Sequence, residues 1–135
     1  PDFDSETRAA VPAPLRRYLD RGLSALKWRW NGPALRQAVL AVPKPGFRVS
    51  LLRMKPRAAA PRHTHVGQEF TLVLQGGFTD DDVHYERGDF AMEDSSRSHT
   101  PVAKEEGCLC LAVLDAPLRL SGPFGTIANR FLSRF

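Results

Sequence analysis

A pair of histidines two residues apart, followed by a glutamate and a glycine, constrains this chain more than any other feature. The segment reads His63-x-His65-x3-Glu69-x6-Gly76. Side chains two residues apart on a strand project from the same face, so the two histidines can point into one small volume. Glu69 follows a short break and opens a new apolar run, which places a carboxylate where the imidazoles converge. Two neutral imidazoles and a carboxylate are three ligands for a divalent metal ion.

A fourth candidate ligand, His99, lies well beyond this motif, at the end of the polar loop 94–98. Any one of these histidines alone would be read as an ordinary surface or core residue. The combination is more specific, because three of the four histidines of the chain join one constellation. We therefore predict a divalent metal site formed by His63, His65, Glu69 and His99.

Short apolar and polar alternations, separated by turn residues, predict an all-β chain. Strands are expected at residues 26–30, 35–42, 47–54, 69–75, 78–82, 90–93 and 107–114. Many short strands at regular spacing favour an antiparallel barrel or sandwich. The wall of a barrel can bring residues together that are distant in sequence, as His65 and His99 are.

Three turns are predicted between these strands. Gly76 and Gly77 are expected to permit a tight reversal after the strand that Glu69 opens. The three aspartates at 80–82 are interpreted as a solvated acidic turn, because no EF-hand spacing follows them. Residues 104–107 are expected to form a charged turn before the most apolar strand of the chain.

The two ends of the chain are harder to assign from pattern. Residues 1–13 mix acidic, small and proline residues without apolar periodicity, which predicts a linker or tail. Residues 14–21 carry a small apolar stripe and predict a short helix that Gly22 can end. The aromatic C-terminus fits either an amphipathic helix over 124–131 or a final strand over 130–135, and the pattern does not choose between them.

Charge and hydropathy argue against nucleic-acid binding and against insertion into a membrane. The net charge is +4 with a pI near 9.5, but the arginines are scattered singly and no nucleic-acid motif accompanies them. We therefore expect no direct nucleic-acid contact. No apolar run approaches the ~20 residues that cross a bilayer, and the acidic, polar start does not look like a signal peptide. We expect a cytoplasmic protein without a membrane partner.

Two cysteines, Cys108 and Cys110, form a Cys-x-Cys in the most apolar predicted strand. Alternation places both on one face, with Leu109 and Leu111 on the other. A disulfide between residues only two apart on a strand is geometrically poor, and free thiols suit a reducing compartment. The pair is interpreted as small buried hydrophobes, with a redox-sensitive or metal-adjacent thiol pair as the alternative.

The histidine motif resembles the two metal-binding motifs of the cupin superfamily. His63, His65, Glu69 and Gly76 match the first motif. The second motif runs from Gly88 to His99, with ten residues between them. Residues 72–76, 99–103 and 114–119, together with Trp28-Arg29 and 36–38, further resemble the cupin-like domain of ChrR-type anti-sigma factors. Four residues depart from the usual cupin pattern without touching the proposed ligands: Arg57, Asp94, Ser96 and Ala103.

This resemblance implies a fold, a metal and partners. The fold would be an all-β antiparallel jelly-roll (cupin) barrel over 14–135, with a short N-terminal helix, after a linker or tail over 1–13. The metal would be Zn²⁺, with Fe²⁺, Mn²⁺ and Ni²⁺ as alternatives. In ChrR-type factors a separate N-terminal helical domain with a His-x3-Cys-x2-Cys zinc motif holds an extracytoplasmic-function sigma factor, and that motif is absent here. The implied role is to sense oxidative stress and regulate transcription through release of the sigma factor. Cupin resemblance also allows for a homodimer.

Two other functions stay open. Many cupins with three histidines and a glutamate bind iron, manganese or nickel and catalyse dioxygenase or isomerase reactions, which need open coordination positions and an accessible cavity. Thr71, Gln75 and Tyr85 are the polar residues near the motif that could line such a cavity. A plain ligand-binding cupin is the third alternative.

Overall fold

Two long neighbouring strands form the middle of the fold. The computed structural model describes residues 1–120, and within them β5 (Glu69–Asp80) pairs along most of its length with β8 (Val102–Leu114). The remaining elements are α1 (Ser5–Ala10), α2 (Ala13–Arg16), a 3-10 turn (Leu23–Ala25), β1 (Arg29–Trp30), β2 (Leu35–Leu40), β3 (Arg48–Met54), β4 (His63–His65), β6 (Val83–Glu86), β7 (Phe90–Glu93) and β9 (Leu118–Leu120). The C-terminal alternatives over 124–135 lie outside the described residues.

Antiparallel pairing joins these strands into two sheets. The larger sheet has the order β1-β2-β3-β8-β5-β6, and β7 also pairs with β5. β4 and β9 form the smaller sheet, and a bridge between His63 and His99 ties β4 to the segment before β8. The predicted all-β antiparallel jelly roll with a short N-terminal helix is confirmed. None of the helices in residues 1–120 has the length and apolar character that spanning a bilayer requires.

Glycines bend β5 and β8 without ending them. The predicted reversal at Gly76–Gly77 and the predicted charged turn at 104–107 were wrong, because both strands run on through these positions. The pairing shifts register between Val73 and Gln75 and again after Gly76, as at β-bulges. Gly76 has φ of +67°, and a Cβ there would lie 2.1 Å from the carbonyl oxygen of Gly107. These glycines therefore allow the backbones of β5 and β8 to approach closely, and the two strands stay paired through the bulges.

β5 bends enough for the side chains of its first and last residues both to reach His99. A straight strand of its length would span roughly 36 Å. Yet Glu69, the first residue of β5, and Asp80, the last, both lie beside His99. The curl of one strand therefore delivers two carboxylates to the same place.

The sheet carries a separate apolar cluster on each face. The outer-face cluster joins sheet residues to the N-terminal segment: Leu40, Leu51, Leu74 and Leu109 pack with Ala10, Val11, Leu19 and Leu23. The inner-face cluster consists of Val73, Phe78, Ala91, Ala103, Cys108 and Cys110. The sheet thus has an inner face, where the histidines lie, and an outer face that the N-terminal segment (residues 1–25) covers.

The N-terminal segment is built into the fold. Residues 1–13, predicted as a linker or tail, contain α1, whose cap residue Asp4 accepts a hydrogen bond from the Thr7 backbone N–H at 2.8 Å. Thr7 is buried, and its hydroxyl accepts from Leu23 N at 3.0 Å. The helix was not predicted from the sequence, because the short apolar step at Ala10 and Val11 is too brief to show periodicity. The domain boundary at residue 14 stays a prediction.

Two predicted elements near the N-terminus are shorter in the structure. The helix expected over 14–21 ends at Arg16. The strand expected from residue 26 begins at Arg29, because the 3-10 turn precedes it and the Trp28 indole N–H donates to the Leu23 carbonyl at 2.7 Å. That hydrogen bond holds Trp28 against the outer-face cluster.

Candidate metal centre

All four predicted ligand residues converge in a buried space. His63 and His65 lie on β4, Glu69 opens β5, and His99 ends the loop that follows β7. Their relative exposures are 7%, 2%, 7% and 4%, so water is largely excluded from the cluster. One potential ligand atom from each residue lies within 4.8 Å of the others. The structure brings the four residues together, and their role as ligands stays a prediction.

Local contacts fix the tautomers of two of the histidines. His63 Nδ1 lies 2.8 Å from the Pro61 carbonyl oxygen, and His99 Nδ1 lies 2.8 Å from Asp80 Oδ2. A carbonyl and a carboxylate can only accept, so Nδ1 carries the proton in each ring. The two Nε2 atoms then face each other across 2.8 Å with their lone pairs free. Opposed lone pairs repel, and a cation between them removes that repulsion.

The third histidine has no such anchor. Neither ring nitrogen of His65 has a hydrogen-bond partner, although the side chain is buried. Its Nε2 lies 3.5 Å from Glu69 Oε1. A buried polar atom without a partner is costly, and metal coordination would satisfy it. The donor set therefore fits a divalent ion of the zinc type, with three imidazole nitrogens and one carboxylate.

The environment sets the charges of these rings. Burial lowers the pKa of His63 to about 4, and the hydrogen bond to Pro61 offsets this only in part. His63 is therefore neutral at pH 7, as a metal ligand must be. Burial by itself lowers the pKa of His65 as well, but the Glu69 carboxylate outweighs it and the pKa of His65 is raised.

Asp80, Arg97 and Glu93 lie on the Nδ1 side of His99, and none of them was predicted from the sequence as part of the site. Asp80 was expected in a solvated acidic turn; this was wrong, because its exposure is 2% and it contacts His99. Arg97 binds Asp80 and Glu93. Asp80, Glu93 and His99 also form a second group of potential ligand atoms within 4.8 Å of one another. The available signal was the acidic run at 80–82, but only the curl of β5 shows where its first member points.

A cavity of about 480 Å³ adjoins the histidine cluster. Apolar side chains dominate its lining, among them Leu35, Leu52, Met54 and Phe78, while His63, Glu69, Thr71 and His99 supply polar groups. Of the polar residues suggested from sequence, Thr71 lines this cavity. Gln75 lines a different groove, and Tyr85 packs against the inner-face cluster.

The two cysteines line the same cavity. Cys108 and Cys110 are free and buried on the inner face, opposite Leu109, as alternation predicted. Their sulfur atoms lie 3.1 Å apart. Contact with Cys108, followed by burial, raises the pKa of the Cys110 thiol, which keeps it protonated. The pair thus packs as small hydrophobes and is also adjacent to the candidate metal centre.

Comparison with known proteins identifies close relatives of this chain. A family model described as the ChrR cupin-like domain matches residues 22–117. Anti-sigma-E factor ChrR of Cereibacter sphaeroides is 45% identical over 114 residues, which cover 82% of this chain and 52% of that protein. The chain therefore spans about half the length of this curated relative.

Solved structures agree with the family match. The structure of Rhodobacter sphaeroides SigE in complex with the anti-sigma ChrR matches with a TM-score of 0.72 and 38% identity, covering 83% of this chain and 58% of that chain. An RmlC-like cupin from Ralstonia eutropha matches at 0.62 and 20% identity, over 78% of each chain. A putative acetylacetone dioxygenase from Methylibium petroleiphilum matches at 0.65 and 15% identity, covering 80% and 82%. The last two show a shared cupin fold alone.

Proposed function

Because this chain belongs to the ChrR cupin-like domain family, we propose that it is the metal-binding sensor part of an anti-sigma factor. The observation that carries the proposal is the buried set of three imidazoles and one carboxylate, in which the Nε2 atoms of His63 and His99 lie 2.8 Å apart and the His65 ring makes no hydrogen bond. The similarity to anti-sigma-E factor ChrR supports a sigma factor as the final partner, reached through an N-terminal anti-sigma domain. Such a protein would act in the cytoplasm, where sigma factors meet RNA polymerase.

Zinc is the metal that we propose for the centre. His63, His65, Glu69 and His99 would hold it, and a four-ligand set made only of protein groups is the arrangement of structural zinc sites. Bound zinc would supply a fixed positive charge that joins β4, β5 and the loop before β8. The backbone contacts between His63 and His99, at 3.0 and 2.8 Å, already align two of these segments. Oxidative damage to a ligand or neighbour would loosen this junction and so change the contact with the anti-sigma domain.

Metal content is the first test. Protein purified without added metal should contain nearly one zinc ion per chain, and His99→Ala should lose most of it. His84 is the matched control, because it is exposed on β6, away from the cluster. A His99→Ala protein that folds and keeps its zinc would refute the fourth ligand. Absence of metal from the native protein would refute the metal-binding function itself.

The sensing role needs a second test in a protein that contains the anti-sigma domain. His63→Ala in that longer protein should abolish the release of the sigma factor by an oxidant such as singlet oxygen or an organic hydroperoxide. Reporter transcription, before and after exposure, measures the release. Unchanged induction in His63→Ala would remove the sensing role and leave metal binding intact.

The cavity beside the site favours one other candidate function. A space of about 480 Å³ that reaches His63, Glu69 and His99 could admit a small substrate, as in a metal-dependent cupin dioxygenase. Iron or manganese in the purified protein would support this alternative. Oxygen uptake by iron-loaded protein with small diketones or thiols would then measure turnover, and no uptake across the panel would count against it.

A further inference from the structure

Arg97 is bonded to three of the segments that build the site. Its guanidinium donates to Asp80 Oδ2 at the end of β5, at 2.5 Å, and to Glu93 Oε1 at the end of β7, at 2.9 Å. Its backbone carbonyl accepts from the Thr64 hydroxyl at 2.8 Å, and Thr64 is the residue between His63 and His65. Side chain and backbone of one arginine therefore connect β4, β5 and β7.

Asp80 connects Arg97 to the predicted ligand His99. Its Oδ2 accepts from Arg97 and also lies 2.8 Å from His99 Nδ1. An ionised carboxylate only accepts hydrogen bonds, so it holds the His99 proton on Nδ1 and leaves Nε2 free toward the metal. The side chain of Asp80 is 2% exposed, whereas that of Arg97 is 38% exposed. Without the arginine, the carboxylate would be buried with one fewer charged partner.

We propose that Asp80 and Arg97 are positioning residues for the His99 ligand, and that Arg97 links the protein surface to the metal centre. The inference rests on the proposed metal-binding function. The chain of contacts runs from the exposed guanidinium to the buried carboxylate, then to the imidazole. Its effect is to select one tautomer and one ring orientation before the metal arrives.

Substitutions at the two positions should weaken metal binding in a graded way. Asp80→Asn keeps the size of the side chain but removes its charge, and we expect a 10- to 100-fold loss of zinc affinity, as is typical for partners of metal-binding histidines. Arg97→Gln should weaken binding in the same direction. Arg97→Lys should recover part of the loss, because an ammonium keeps the charge but lacks the planar fork that reaches Asp80 and Glu93 together.

Asp82→Asn is the matched control. Asp82 is exposed in the turn after β5, so its substitution makes the same change of charge two residues along the chain without altering the contact with His99. Zinc affinity in this variant should equal that of the native protein.

The experiment is competition for zinc between the protein and a chromophoric chelator, together with the absorption spectrum of the cobalt-loaded protein. Affinity falling in Asp80→Asn and Arg97→Gln but not in Asp82→Asn, with a changed cobalt spectrum, supports the proposal. Unchanged affinity and spectrum, with only a lower melting temperature of the metal-free protein, would show a purely structural role and overturn it. If Asp80→Asn does not fold, the comparison of Arg97→Gln with Arg97→Lys decides on the same readouts. Native protein that binds no zinc would instead remove the proposed function on which this inference depends.

Discussion

Each histidine of the candidate metal centre is held in a different way. His63 is fixed through a backbone carbonyl, and His99 through a buried carboxylate. His65 has neither, and its Nε2 lies 3.5 Å from Glu69 Oε1. Two of the three imidazoles are therefore oriented by hydrogen bonds, whereas His65 has only the longer contact with Glu69.

At the scale of single residues, the metal-free protein should lose stability in mild acid. The pKa of His63 falls from 6.5 to about 4 on folding, so between these pH values the unfolded chain binds a proton that the folded chain does not. Acidification through this window therefore favours unfolding, by an amount on the order of 3 kcal/mol. Denaturant titrations of chelator-treated protein at pH 7, 5.5 and 4.5 measure the effect.

Other titrating groups act outside that window. The pKa of His65 is raised above 6.5, so its protonation contributes stability that is complete below pH 6.5 and lost as the pH rises further. The pKa of Asp80 is lowered below 3.8 through His99 and Arg97 despite its burial. His63→Asn should reduce the pH dependence of the free energy of unfolding between pH 6.5 and 4. An equally steep loss in that variant would assign the effect to another group.

The sequence was enough to select the four residues that converge at the candidate metal centre, but not the residues that contact them. His63, His65 and Glu69 are close along the chain, and strand alternation is enough to bring the two histidines onto one face. Asp80 meets His99 only because bulges curl β5, and the size of a bulge-induced bend is not encoded in any local pattern. Arg97 could not be distinguished from the other scattered arginines, because its contact with Asp80 depends on the same bend of β5.

At the scale of elements, glycines decide the course of the two central strands. The backbones of Gly76 and Gly107 approach each other closely, and both have positive φ. A turn and a bulge both favour glycine at positive φ. Sequence alone therefore marked the right positions but assigned them to the wrong kind of feature.

Gly76→Ala should be strongly destabilising. The new Cβ would meet a backbone oxygen at 2.1 Å in a conformation that also disfavours side chains, so we expect a loss of roughly 3 kcal/mol or more. Gly88→Ala is the control, since its φ is +88° but nothing lies within 4 Å of the added carbon. That variant should lose only about 1–2 kcal/mol. Equal losses in chemical denaturation would show that the backbone contact at Gly76 is unimportant.

The N-terminal segment should contribute to stability as part of the core. Val11 is fully buried in the outer-face cluster, so Val11→Ala should cost roughly 2 kcal/mol through lost contacts and a small cavity. Val39 is 61% exposed, and Val39→Ala should cost less than about 1 kcal/mol. Thermal unfolding of both variants compares them. A Val11→Ala protein as stable as Val39→Ala would mean that the segment is only loosely attached.

At the scale of the whole molecule, one sheet supports two different surfaces. Its inner face carries the candidate metal centre and the cavity, and its outer face carries the N-terminal segment. Strand alternation was sufficient to predict an antiparallel barrel or sandwich, and the resemblance to cupins narrowed this to the jelly roll. The docking of the N-terminal segment was not predictable, because it depends on a few buried contacts rather than on a periodic pattern.

Metal binding should stabilise the whole fold, because its ligands come from separate segments of the barrel. At free zinc 100 times above the dissociation constant, linkage gives about 2.7 kcal/mol of added stability. Thermal unfolding with increasing zinc should show a rising midpoint that a chelator reverses. His99→Ala should show little of this rise, and an identical rise in that variant would place the zinc elsewhere. Size-exclusion chromatography of the same samples would test the homodimer expected from the cupin resemblance.

The bend of β5 connects the candidate metal centre to the rest of the sheet. The side chains of its first and last residues both lie beside His99, so one imidazole connects the two ends of the strand. His99 thus contacts both ends of a strand that pairs with β8 along most of its length. In β8, Cys108 and Cys110 line the cavity beside the candidate metal centre, whereas Leu109 between them packs in the outer-face cluster with the N-terminal segment. A single layer of backbone therefore separates the surroundings of the candidate metal centre from the N-terminal segment.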